Sequence, residues 1–161
     1  MTTTIAPGEE APNFTAKVTD GQDVDDFELA EEIGDGPVVI GFFPFAFTGV
    51  CENQMADLRD NLEDFEDAGA SVYGASVASP FALQTWADEN GFGFDLIADW
   101  NREATEAFGL EYDEMMGLER PAQRATVIIG SDGNVEWVWS TDDPGQKPDV
   151  DEVLGAVRKV N

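Results

Sequence analysis

At 161 residues the chain has the length of one ordinary domain, and 34 acidic against 8 basic residues give it a net charge of −26, a potential that repels nucleic-acid phosphates and anionic membrane surfaces. It contains no histidine and a single cysteine, which excludes Cys-His and Ser-His-Asp hydrolases as usually built, a histidine-based zinc site and any intramolecular disulfide. No nucleic acid, no membrane, no metal and no cofactor is therefore expected.

The acid is spread along the chain, and 42% hydrophobic content with eleven Phe and four Trp argues for an acidic globular surface, not a disordered segment. With only three lysines, that surface resembles those of proteins adapted to molar salt, where the Debye length shrinks to roughly 3 Å. Met1 to Pro7 has neither a basic n-region nor an apolar h-region, and no run approaches the ~20 apolar residues that span a bilayer. A cytoplasmic protein of one domain, residues 1–161, is expected.

In chain order, Phe14 to Val18 is predicted as a strand and Thr19-Asp20-Gly21-Gln22 as a hairpin turn. Asp25-Asp26 is read as the N-cap of a brief helix through Leu29 and Ile33, closed by Gly34-Asp35-Gly36. Val38 to Phe43 is a short apolar run, the pattern of a strand covered on both faces, and Pro44 ends it. Met55, Leu58, Leu62 and Phe65 then form one apolar stripe opposite Asp57, Asp60, Asp64 and Asp67, predicting a helix of about five turns that ends at Gly69. Ser71 to Val77 is a second buried strand, and Ser79-Pro80 opens a helix carrying Phe81, Leu83 and Trp86. Leu96 to Ala98 is a short strand, Asn101 is expected to cap a helix through Phe108, and Gly109 to Arg120 reads as an acidic loop. Ala125 to Gly130 and Val135 to Trp139 are strands around the turn Ser131 to Asn134, and Val150 to Val160 is a terminal helix. The four tryptophans are assigned to core or interface packing. Strands alternating with helices and closing on a hairpin predict an α/β sandwich around a mixed central sheet flanked by helices.

Pro44-x-x-x-Thr48-x-x-Cys51 lies at the junction from the central strand to the long helix. This motif resembles the active-site motif of the peroxiredoxins. Gly8 to Phe14 resembles that family's approach to its first strand, and Arg124 to Ile129 followed by Asp132-Gly133 resembles the segment bearing its active-site arginine. Phe42 to Cys51 is most similar to the one-cysteine members of the alkyl hydroperoxide reductase E type. The resemblance covers about Gly8 to Trp139. It implies a thioredoxin-like fold and a thiol peroxidase, with a peroxide substrate, an external thiol reductant of small-thiol or thioredoxin/glutaredoxin-like kind, and a homodimer.

The residues support that chemistry independently. Peroxide reduction needs a thiolate and donors for the charge growing on the departing oxygen. Cys51, in the first turn of a helix entered from a strand, is the candidate nucleophile, with the positive end of the helix favouring its thiolate. Arg124 would add permanent positive charge, and Thr48 would orient thiolate and peroxide by its hydroxyl. By analogy with the family, Pro44 would cover the thiol, and the Val50 and Cys51 backbone N–H groups would help bind peroxide. Three residues after the cysteine, where many relatives carry a Glu that orients the arginine, this chain has Gln54. An amide can still accept from Arg124 but does not neutralise it. The bland readings are a buried inert Cys51, Thr48 as a helix cap, Pro44 as a strand terminator and Arg124 in an ordinary salt bridge. At this level a redox-inactive binding protein of the same fold, and a peroxide sensor that relays oxidation to a partner, stand beside the peroxidase.

From the charge alone, fold stability should rise from dilute buffer into molar KCl as self-repulsion is screened. Denaturant midpoints compared in the two media check this, and equal midpoints would count against adaptation to salt.

Overall fold

A computed structural model describes residues 4–160. A seven-stranded sheet has the order β2-β1-β5-β4-β3-β8-β9. Its strands are β1 (Thr15–Thr19), β2 (Val24–Glu28), β3 (Val38–Phe42), β4 (Ser71–Ser76), β5 (Asp95–Ala98), β8 (Ala125–Ile129) and β9 (Val135–Ser140). β3, β4 and β5 are mutually parallel, while β1, β2, β8 and β9 join antiparallel, so the sheet is mixed as expected. Side chains alternate across it: Val38, Ile40 and Phe42 enter one core with Phe14, Leu29 and Phe108, while Val39 enters the other with Met55, Leu83, Trp86 and Val157. Helices α1 (Leu29–Glu32) and α5 (Glu103–Phe108) contribute to the first core; α2 (Gly49–Asp60), α3 (Leu62–Asp67), α4 (Pro80–Asn90) and α6 (Val150–Val160) contribute to the second.

The central strands carry a local device that lets α2 lie close. Gly41 and Gly74 are partners across β3 and β4. A Cβ on Gly74 would stand 2.7 Å from both Met55 Sδ and Leu96 Cδ2, and one on Gly41 would stand 3.3 Å from Met55 Cε and Leu58 Cδ1. The missing methyl groups thus make the seat for the apolar stripe of the cysteine helix.

Four sequence expectations are corrected. Asp25 and Asp26 do not cap a helix: they lie in β2, the edge partner of β1, and only Leu29–Glu32 is helical. Phe27 is buried against the rings of Phe14 and Tyr73, while the two exposed aspartates face water and Asp26 pairs with Lys17, a charged pattern suited to an edge strand. The preceding turn is as expected; Asp20 accepts from the N–H groups of Gln22 and Asp23, which hold its carboxyl below the usual range.

The five-turn helix is two helices. Asn61 breaks it at φ −114°, its side chain donating to Asp57 O at 2.8 Å, a local bond that competes with the helical ladder. Nor does Asn101 cap α5. The buried carboxylate of Asp99 accepts from Ala104 N (3.0 Å) and Thr105 N (2.8 Å), while Arg102 occupies the N-cap position in the left-handed region. Finally, the segment from Gly109 to Arg120 contains a small hairpin, β6 (Glu114–Met115) with β7 (Leu118–Glu119), turning through Met116 and Gly117, both at positive φ.

Burial raises the Asp99 carboxyl above its ordinary range, although its two N–H donors oppose that shift. The folded state therefore holds the proton longer than the unfolded one, and the stability Asp99 contributes declines as pH rises from the ordinary carboxylate value through the folded one. Asp99→Ala should cost about 1–2 kcal/mol as a lost cap. The deficit should be larger near pH 3 than at neutrality when urea unfolding of both proteins is followed.

Candidate active site

Antiparallel pairing of β3 with β8 builds the site. Phe42 pairs with Ala125, so the chain leaving β3 toward the cysteine and the residue just before β8, Arg124, arrive at the same end of the sheet. Cys51 is the third residue of α2, and the first turn closes with a bond from Glu52 N to Thr48 O at 2.9 Å. The Gly49, Val50 and Cys51 N–H groups therefore precede the intrahelical ladder.

Cys51, Gln54 and Arg124 are brought together in the interior, at 1%, 2% and 1% exposure. Arg124 Nη2 donates to Cys51 Sγ at 3.2 Å, Nη1 to Gln54 Oε1 at 2.9 Å, and Nε to the Pro144 carbonyl at 2.9 Å. Three edges of the planar fork are thus fixed. Gln54 Nε2 in turn reaches Phe42 O at 3.4 Å. Arg124 enters none of the five ion pairs found among the described residues, which removes the ordinary salt-bridge reading of this residue. Its contacts are a sulfur, an amide and a carbonyl.

Thr48 and Pro44 stand at the loop's two ends. Thr48 holds the N-cap position of α2 with extended backbone, but its hydroxyl makes no cap bond and instead donates to Phe45 O at 2.7 Å. That hydroxyl is exposed and tightens the loop onto itself. Pro44 is buried directly beyond β3, its carbonyl accepting from Ser76 Oγ at 3.0 Å. Phe47, between them, is more than half exposed and lies at φ +64°, a conformation uncommon for a non-glycine residue.

Two contributors escaped the sequence reading. Pro144 acts through its backbone carbonyl, and no side-chain pattern marks a carbonyl. Tyr112 accepts from Arg124 N at 3.3 Å and donates to Thr141 O at 2.8 Å; it lies in the segment read as an acidic loop. Lys147 pairs with Asp57, tying the loop after β9 to the cysteine helix.

The family model described as AhpC/TSA matches residues 7–138. Over 137 residues the chain is 38% identical to a putative peroxiredoxin of Mycobacterium tuberculosis, covering 83% of this chain and 84% of that one. It is 33% identical over 132 residues to alkyl hydroperoxide reductase E of the same organism, covering 81% and 82%. The crystal structure of peroxidoxin BcpB from Mycobacterium tuberculosis superposes with a TM-score of 0.81 at 25% identity, covering 96% of this chain and 97% of that one. A sheet of this topology with one buried cysteine at a strand-to-helix junction is that of a thioredoxin-like thiol peroxidase. The chain belongs to the AhpC/TSA family of peroxiredoxins. Its activity is thiol-dependent peroxide reduction, and its single cysteine fits the one-cysteine type.

Arg124 should matter most once the thiolate is fully formed. Arg124→Ala should depress the high-pH plateau of the peroxide rate roughly a hundredfold, the equivalent of ~3 kcal/mol of lost transition-state stabilisation. Arg124→Lys should recover only part of it, since an ammonium lacks the planar fork. Stopped-flow rates against pH check both.

Proposed function

We propose that the chain reduces hydrogen peroxide or organic hydroperoxides at Cys51 and is regenerated by an external thiol. The observation carrying this reading is the 3.2 Å bond from the buried Arg124 guanidinium to Cys51 Sγ. A cysteine serving only as packing would gain little from a buried arginine, whose desolvation costs several kcal/mol. The same bond opposes a redox-inactive binding role.

In this mechanism the Cys51 thiolate attacks one peroxide oxygen in line with the O–O bond. The sulfur gives up two electrons, the S–O bond forms, and the O–O electron pair leaves on the second oxygen, which takes a proton to depart as water or alcohol. Arg124 holds the thiolate and meets the charge growing on the leaving oxygen. The Val50 and Cys51 N–H groups add positive potential at the start of α2. Thr48 takes its orienting role by turning its hydroxyl from Phe45 O toward the substrate, and Pro44 holds the loop above the sulfur. Gln54 keeps the guanidinium in plane. An external thiol then condenses with the sulfenic acid, releasing water and forming a mixed disulfide, and a second thiol restores Cys51. The reductant is a small thiol or a thioredoxin/glutaredoxin-like protein.

The functional unit is a homodimer in this reading. Phe47, Phe81, Trp100, Met116 and Leu118 are exposed large apolar residues, and Phe45, Trp100 and Leu118 line one shallow cavity of about 360 Å³ beside the cysteine loop, a surface suited to a partner. A cytoplasmic setting at high salt accords with the acidic surface and single unpaired thiol. No helix among the described residues is long and apolar enough to cross a membrane, and the charge disfavours nucleic acid.

One equivalent of peroxide should add one oxygen, captured as a dimedone adduct on Cys51 in the intact mass, with no disulfide within the chain. Excess peroxide without reductant should carry Cys51 to the sulfinic acid and end activity irreversibly. An unmodified Cys51 after stoichiometric peroxide would sink the reading. Capture of one specific partner disulfide in preference to turnover would favour a sensor.

A further inference from the structure

The ladder between β8 and β9 is interrupted at the residue that carries the guanidinium. Ala125 pairs with Ser140, so Arg124 and Thr141 are the next opposed residues. One of their two expected backbone bonds is present, from Thr141 N to Arg124 O at 3.3 Å. The reciprocal bond is replaced by a side chain: Arg124 N donates to Tyr112 Oη at 3.3 Å, and Tyr112 Oη donates to Thr141 O at 2.8 Å. The phenol oxygen stands inside the ladder, and both backbone groups remain satisfied through it.

Tyr112 is held for this task from its own backbone. Its N–H bonds to Pro121 O at 3.0 Å, and Gln123 N bonds to Leu110 O at 2.8 Å, so residues 110–112 run antiparallel to the segment leading into Arg124. Beyond Thr141 the chain turns through Asp143 and returns the Pro144 carbonyl to Arg124 Nε. The wedge therefore acts on both the backbone of Arg124 and the start of the loop that fixes its fork.

We propose that Tyr112 is a positioning residue for the peroxidase reaction, its hydroxyl splaying the end of the β8/β9 ladder so that the Arg124 guanidinium reaches Cys51 and Gln54. This rests on the assignment of Arg124 to the reaction in the proposed function. Burial raises the phenol above its ordinary range, so the hydroxyl keeps its proton and its donor role across the pH range of an assay. The segment from Gly109 to Arg120 is then a support of the site as well as a surface hairpin.

The test compares two reactions of the same thiolate. Reduction of hydrogen peroxide uses Arg124 at the leaving oxygen; alkylation by iodoacetamide does not. Tyr112→Phe should lower the high-pH peroxide rate constant about tenfold through misplacement of the fork, with iodoacetamide alkylation within about twofold of wild type. In an Arg124→Ala background, Tyr112→Phe should change the peroxide rate by less than about twofold, because a residue that acts through another adds nothing once that other is gone. Gln123→Ala removes a second side-chain donor to Thr141 O (3.1 Å), leaves the Tyr112 bonds to Arg124 N and Thr141 O in place, and should leave the peroxide rate within about twofold of wild type. A wild-type peroxide rate in Tyr112→Phe, an equal fall in the Arg124→Ala background, an equal fall in both reactions, or the same fall in Gln123→Ala each overturns the proposal while leaving Arg124 in place. If Arg124→Ala itself reacts with peroxide as wild type does, the assignment of the site fails first, and the proposal with it. Amide hydrogen exchange in the wild-type protein gives an arm independent of the variants: the Arg124 N–H should be protected like those of β8, and exchange at the rate of a free loop amide overturns the wedge.

Discussion

A guanidinium at 1% exposure, bonded to a sulfur and to neutral oxygens, is the constraint on which the rest of this structure depends. An arginine does not shed its charge at any ordinary pH, so burying it costs several kcal/mol unless its donors are satisfied and an anion stands near. Among the groups it touches, only Cys51 can ionise. The fold therefore sets a buried positive charge at one place, and the thiol of Cys51 is bonded to it. No carboxylate pairs with the guanidinium: the basic residues in ion pairs among the described residues are Lys17, Arg59, Arg120 and Lys147.

Backbone geometry creates this juxtaposition across 73 residues of sequence. The parallel pairing of β3 with β4 places Gly41 beside Gly74 and so seats Met55, which sets the depth of α2 and of Cys51 at its start. The antiparallel pairing of β3 with β8 fixes where Arg124 begins. A slip of one residue in that second register would turn Val127 and Ile129 from one core to the other, so hydrophobic alternation holds the distance from Arg124 to Cys51. The placement of these side chains thus derives from the apolar pattern of the strands behind them.

That division explains what could be read from the sequence. β3, β4, β8 and the stripe on α2 were legible because burial writes periodicity into residue type, and the meeting of Cys51 with Arg124 because a lone thiol and a cation set beside a buried strand are rare residue types in this chain. The errors fell where one local interaction overrules composition. Asp25 and Asp26 have the chemistry of caps, yet Phe27 directly after them is claimed by the first core; Asn61 lies within an unbroken apolar stripe, yet its amide takes the Asp57 carbonyl. Asn101 is as good a cap by type as Asp99, but Asp99 leaves the end of β5 already buried and bonded to α5. The supports of Arg124 were illegible for another reason. The Pro144 carbonyl belongs to the backbone, and Tyr112 acts through one oxygen whose place depends on pairings outside the main sheet.

Gln54 shows how a single departure from the family's pattern can be consistent with its surroundings. An amide presents a donor and an acceptor on opposite sides, and here the acceptor meets Arg124 while the donor points to the Phe42 carbonyl at the end of β3. A carboxylate in the same place could serve the arginine, but its second oxygen would face that carbonyl, acceptor against acceptor. The amide therefore joins the cysteine helix, the central strand and the guanidinium without adding a charge. What it leaves undone is neutralisation. Cys51 is then the one ionisable group bonded to the Arg124 guanidinium, where a glutamate at position 54 would be a second.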